Sequence, residues 1–150
     1  MRGHRRARVT VGHTARDDID EYAGRAHPRE TGGLLLGWWD DQGVHVIAAA
    51  EVTDPRATGV RWTRSQSTAQ QVLERAIEAI SDPMVGYVGD WHSHPAAVGP
   101  SPPDRAALVR VSRQYTTPVV LVVHRSDGRL DVLTAQSGRI VRSTVQDAQR

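Results

Sequence analysis

Apolar and polar positions along this chain follow two periods, and the switches between them mark the elements. Arg8 to Gly12 alternates like a short strand. Ile19, Tyr22, Ala23 and Ala26 then recur three or four positions apart, the stripe of an amphipathic helix that Thr14 and Asp17 are spaced to cap and Pro28 to end. Thr31 to Trp39 is continuously apolar, as in a strand covered on both faces, and Asp40-Asp41-Gln42-Gly43 turns the chain back into Val44 to Glu51, which predicts a hairpin. A polar loop covers Thr53 to Gly59. Val60 to Thr63 is briefly strand-like, and a helix capped by Ser65 or Ser67 reaches about Ile80 with Val72, Leu73, Ala76, Ile77 and Ile80 as its inner stripe. Val85 to His92 reads as another buried strand and Pro95 to Pro103 as a proline-rich loop. A third helix follows with Leu108, Val111 and Tyr115 on its apolar face, then strands at Val119 to His124, Leu130 to Ala135 and Ile140 to Val145. Strands and helices interleave before a run of hairpins closes the chain, which argues an α/β fold: a mixed β-sheet with helices packed on its faces.

Composition narrows the chemistry. At 150 residues the chain suits one domain, with no internal repeat or linker. There is no Cys, which excludes disulfides, thiolate nucleophiles and zinc fingers, so any metal must be held by His and carboxylate groups. Lys is also absent, which excludes Schiff-base catalysis and a phosphate-loop lysine. The net charge of +2 rests on Arg2, Arg5, Arg6 and Arg8, without which acidic residues outnumber basic ones by two. Residues 1–8 therefore read as a solvated basic arm and 9–150 as the folded domain, with no basic face for nucleic acid. Neither a membrane span nor a secretory leader is apparent, and the expected location is cytoplasmic.

The informative stretch is Asp90-Trp91-His92-Ser93-His94-Pro95, at the end of a predicted strand. Residues i and i+2 project from one face, so His92 and His94 can turn two imidazoles toward one ion. Asp104 falls in the first turn of the third helix, where it is either the acidic member of a Ser101-Pro102-Pro103-Asp104 capping box or a third ligand, and three protein ligands leave one position for water. Ser93 points to the opposite face. His4, His13, His27, His45 and His124 have no partner at ligand spacing and read as surface or core residues.

His92-Ser93-His94-Pro95 followed by Ser101-Pro102-Pro103-Asp104 resembles the JAMM signature of the JAB/MPN zinc metalloprotease family, in its compact prokaryotic form. Upstream, Glu30-Thr31-Gly32-Gly33-Leu34-Leu35-Leu36-Gly37 is similar to the family's glutamate and glycine-led strand. The likeness runs from about Val9 to Val145. The loop from Ala96 to Pro100 is one residue shorter than the family's usual spacing, and an irregular exposed loop is expected to absorb the difference. The resemblance implies a curved sheet in a three-layer, cytidine-deaminase-like arrangement. It implies one Zn2+ per chain on His92, His94 and Asp104 with a catalytic water, Glu30 as the base acting on that water, and Ser101 as an oxyanion donor. The implied activity is an isopeptidase or peptidase cutting after the C-terminal glycine of a ubiquitin-like or sulfur-carrier protein, beside an E1-like or E2-like conjugation system. Val60, Arg61, Trp62 and Thr63 are the candidate edge against which an extended glycine tail would lie. A silent scaffold of the same fold that binds a partner, and a zinc hydrolase of small amides, are the alternatives.

Overall fold

The computed structural model describes residues 6–53 and 66–147. Seven strands and three helices follow in the order β1 (Arg6–Val11), α1 (His13–Ala26), β2 (Gly32–Asp40), β3 (Gly43–Glu51), α2 (Gln66–Ile80), β4 (Gly86–Ser93), α3 (Pro102–Ser112), β5 (Val119–His124), β6 (Leu130–Gln136) and β7 (Arg139–Asp147). The strands form one mixed sheet in the order β1-β3-β2-β4-β5-β6-β7, which curves until β7 pairs parallel with β1 from Arg6↔Arg142 to Val11↔Asp147. Among the described residues, no helix is long and apolar enough to cross a membrane.

The continuous apolar runs are explained by burial on both faces. Leu35, Val120 and Val122 point into the inner core, where they meet Val9, Val46, Trp91 and the α1 residues Ala15 and Ile19. The alternate residues face outward: Leu34 packs with Val52 and Ala69 under α2, while Val119, Leu121 and Val123 pack with Leu108 of α3. Helix α1 thus lines one face of the sheet and α2 with α3 the other, giving the three layers. Two glycines permit close strand approach, since a Cβ on Gly33 would stand 1.8 Å from the Ala50 carbonyl oxygen, and one on Gly37, beside a register shift, 1.7 Å from that of His45. Gly24, inside α1, has nothing within 4 Å of such a Cβ. It weakens the helix by about 1 kcal/mol relative to Ala with no packing reason.

Several expectations change. Arg6 to Arg8, assigned to the arm, belong to β1 because β7 supplies them with a partner, and residues 1–5 lie outside the described residues. The N-cap of α1 is Gly12 rather than Thr14 and makes no side-chain cap bond. Its N–H donates instead to Val46 C=O at 2.8 Å, so sheet pairing sets the helix start. Tyr115 lies beyond α3, which stops at Ser112, and its ring meets that of Tyr87 at 5.4 Å. The α2 stripe is half-buried, and Ala69 is the fully buried residue. Val60, Arg61, Trp62 and Thr63 lie outside the described residues.

Trp91 ties the layers together: it is fully buried, stacks on Tyr22 with centroids 5.8 Å apart, and donates its indole N–H to Ala50 C=O at 3.1 Å. Trp91→Ala should lower the unfolding free energy by about 3–5 kcal/mol, seen as a lower urea midpoint at an unchanged slope.

Candidate metal centre

Strand β4 is held on both sides up to its last residue. Toward β2 the register runs Gly32↔His92, and one step further Thr31 meets Ser93. There the Ser93 N–H donates to Thr31 C=O at 2.8 Å and the Thr31 N–H donates to Ser93 Oγ at 3.0 Å. Thr31 is fixed again by its hydroxyl, which donates to Glu51 at 2.6 Å. Glu30, half-buried, directly precedes Thr31 in the chain. Toward β5 the pairing is parallel, Ser93↔His124, and the His94 N–H donates to His124 C=O at 2.8 Å. Ser93 is 3% exposed and faces away from the histidines, as its position in the alternation requires.

His92 and His94 bring their Nε2 atoms to 3.2 Å, and Asp104 faces both, Oδ1 at 3.3 Å from His92 Nε2 and Oδ2 at 3.4 Å from His94 Nε2. The shorter loop therefore still delivers Asp104. It also orients His94, whose Nδ1 lies 3.1 Å from Val98 C=O; donation there leaves Nε2 as a lone-pair donor. The β5–β6 turn braces this loop. The Ser126 N–H donates to Ala96 C=O at 3.2 Å, and Gly99 sits so close to Asp131 that a Cβ would stand 2.6 Å from Oδ2. Arg125 spans the turn between Asp127 at 2.9 Å and Asp131 at 3.7 Å.

The capping box is present in full: Ser101 Oγ accepts from the Asp104 N–H at 3.3 Å and Asp104 Oδ2 accepts from the Ser101 N–H at 2.7 Å. The two readings of this segment are one geometry, since the box orients the carboxylate that meets the imidazoles. Burial resists ionisation of Asp104, but the contact with His92 and the hydrogen bonds from Ser101 outweigh it and hold the carboxyl far below the usual carboxylate range.

These three side chains form the group of possible metal ligands found among the described residues. Ligands at about 2.0–2.1 Å in a tetrahedron are spaced about 3.3–3.4 Å apart; the two Nε2 atoms here stand 3.2 Å apart and the carboxylate turns one oxygen to each, at 3.3 and 3.4 Å, so the chemistry and spacing of the set suit a small divalent ion. Ser101 Oγ, at the start of α3, accepts from Asp104 and keeps its own proton to donate.

Two histidines read as lacking ligand-spaced partners have carboxylate neighbours. His124 Nε2 lies 3.0 Å from Asp20 across 104 residues of sequence, and His45 Nε2 lies 2.9 Å from Asp40. The first pair adjoins His94, and no sequence signal marks it because it depends on the β4–β5 pairing and the docking of α1.

The family model described as prokaryotic homologs of the JAB domain matches residues 13–135. The probable metalloprotease y4qB of Sinorhizobium fredii is 34% identical over 96 residues, which are 61% of this chain and 57% of that protein, so the match spans little more than half the relative's length. The solution structure of protein DSY2949 from Desulfitobacterium hafniense superposes with a TM-score of 0.62 at 16% identity, covering 93% of this chain and 94% of that one, a likeness of fold.

Ser93→Ala strips a buried N–H of its acceptor and should cost about 1–3 kcal/mol in denaturant unfolding. Because the folded state holds Asp104 below its unfolded pKa, its stabilising contribution is complete above about pH 4 and is lost as pH falls through the folded value. In metal-free protein, the stability gap between wild type and Asp104→Asn should be flat near neutrality and close in strong acid, as followed by unfolding at stepped pH.

Proposed function

We propose, from the premise that this chain belongs to the prokaryotic homologs of the JAB domain, that it is a metal-dependent hydrolase that cuts an amide bond after the C-terminal glycine of a ubiquitin-like or sulfur-carrier protein. The observation that carries the reading is the convergence of the His92, His94 and Asp104 side chains at the carboxyl end of β4 and the start of α3. The name of the Sinorhizobium relative supports the hydrolytic class.

A zinc ion held by the two Nε2 atoms and the Asp104 carboxylate would supply Lewis acidity and make a water acidic enough to ionise near neutral pH. Glu30 accepts that water's proton and returns it to the leaving amine. The Ser101 hydroxyl donates toward the oxyanion that grows on the scissile carbonyl, and the amino end of α3, which opens on Pro102 and Pro103 and so has no free N–H there, adds only its dipole field. Asp104 keeps its charge throughout, because the hydrogen bond from the Ser101 N–H favours the ionised form. A diglycine tail suits such a site, since a backbone without side chains can enter a narrow groove and lie against an exposed strand. In this reading the physiological setting is an amine-conjugation system with E1-like or E2-like partners.

Metal analysis of purified protein should find close to one zinc per chain, and its absence from well-folded protein would sink the proposal. Glu30→Gln should retain zinc and lose turnover by roughly 10²–10⁴-fold, whereas Asp104→Asn should lose zinc itself. Fusions carrying a ubiquitin-like protein ahead of a reporter, followed by gel and mass spectrometry, provide the assay; normal cleavage by Glu30→Gln would remove its assigned role.

A further inference from the structure

Beside His94 a cavity of about 170 Å3, whose lining does not include Asp104, opens between the second half of α1 and the carboxyl end of β5. Its polar lining is uneven in what it offers. The one carboxylate, Asp20, is engaged by the His124 ring at 3.0 Å. Arg29 and His27, both exposed, carry no ion pair with the described residues, and Ser126 adds a hydroxyl. What remains open to a ligand is therefore rich in donors; Arg29 and Asp20 are the formal charges of the lining, and the Asp20 carboxylate is turned to the His124 ring while the Arg29 guanidinium has no such partner among the described residues. The α1 wall of the cavity is Ala23 and Gly24, and Gly24 is the helix-interior glycine whose absent side chain no neighbour requires. That missing side chain instead leaves the cavity open.

We propose that this cavity is a carboxylate subsite that takes one acidic side chain of the polypeptide on which the neighbouring centre acts. Its purpose rests on the amide-hydrolase reading, but its existence does not. Arg29 provides the charge and a two-pronged donor that matches a carboxylate. Asp20 keeps the His124 ring turned toward α1, so that this ring forms a fixed wall. The space suits a single short side chain. Pro95 also lines the cavity, and Arg29 directly precedes Glu30, so a residue seated there lies next to the bond being cut. The subsite would thus select a substrate whose acidic residue sits beside the scissile amide.

The test uses two probes of nearly the same shape, N-acetyl-glutamate α-amide and N-acetyl-glutamine α-amide, titrated into metal-free full-length protein while the His27 and His124 ring signals are followed by NMR. The glutamate probe should bind at least about fivefold more tightly, the scale of one partly exposed charge-assisted hydrogen bond. Arg29→Gln should abolish that preference, and Gly24→Leu, which fills the cavity from an exposed helix position, should abolish binding of both probes. Equal affinity of the two probes, or a preference that survives Arg29→Gln, overturns the subsite. A second arm compares zinc-loaded protein on peptides that differ only in Glu or Gln beside the scissile bond. If neither peptide is cut while the probe preference persists, the subsite stands and the hydrolase reading falls. Cleavage of both at one rate with no probe preference removes the subsite and leaves the hydrolase reading in place.

Discussion

The reciprocal clamp between Thr31 and Ser93 is the constraint on which the site depends. Both backbone groups of Thr31 are satisfied by a residue 62 positions away, and the Ser93 hydroxyl is committed to the same partner. In a buried setting an unpaired N–H or C=O costs far more than an ordinary hydrogen bond contributes, so neither strand can slide past the other. A slip of one residue would also turn every side chain of β4 to the opposite face, carrying His92 and His94 into the position that Ser93 holds. The clamp therefore fixes the face shown by the histidines. Gly33 is part of the same device, because only a residue without Cβ lets β2 lie against Ala50 one step further along.

Asp104 combines two tasks that compete for one side chain. A carboxylate has about four acceptor positions, and the capping bond from the Ser101 N–H uses one on Oδ2. Enough remain to face two imidazoles. The cap also removes rotational freedom from the side chain before any ligand arrives, and the amino end of α3 adds a favourable field for the negative charge. The position that makes a good helix start thus also presents a carboxylate already ionised and already aimed.

Much of this was legible in the sequence because it follows from periodicity and spacing. The apolar runs in β2 and β5 announced strands covered on both sides, and the two-residue histidine spacing with the later SxxD segment marked the cluster. The boundaries that failed were those set by long-range pairing. Arg6 to Arg8 look like a solvated arm until β7 lies beside them, and Thr14 looks like a cap until the β1–β3 pairing starts the helix earlier in the chain, at Gly12. Tyr115 fits a helical stripe, yet Ser112 ends α3 by donating to Val109 C=O and accepting from the Gly138 N–H. The His124–Asp20 pair had no local signature, as it joins α1 to β5 across 104 residues of sequence.

Strands β4 and β5 explain why these features gather at one end. They are parallel neighbours, so the crossover through α3 must start and the β5–β6 turn must begin at the same edge of the sheet. In sheets of this kind the space beyond the carboxyl ends of parallel strands is where loops converge and ligands sit. Here the convergence has a mechanical effect. The loop after β4 carries Val98 to His94, and the turn after β5 supports that loop through Ser126 and through the narrow gap between Gly99 and Asp131. A loop shortened by one residue has less slack to hold an imidazole in place by itself. Support from the neighbouring parallel strand adds rigidity to the loop that holds this imidazole, a consequence of the topology that places the two ends together.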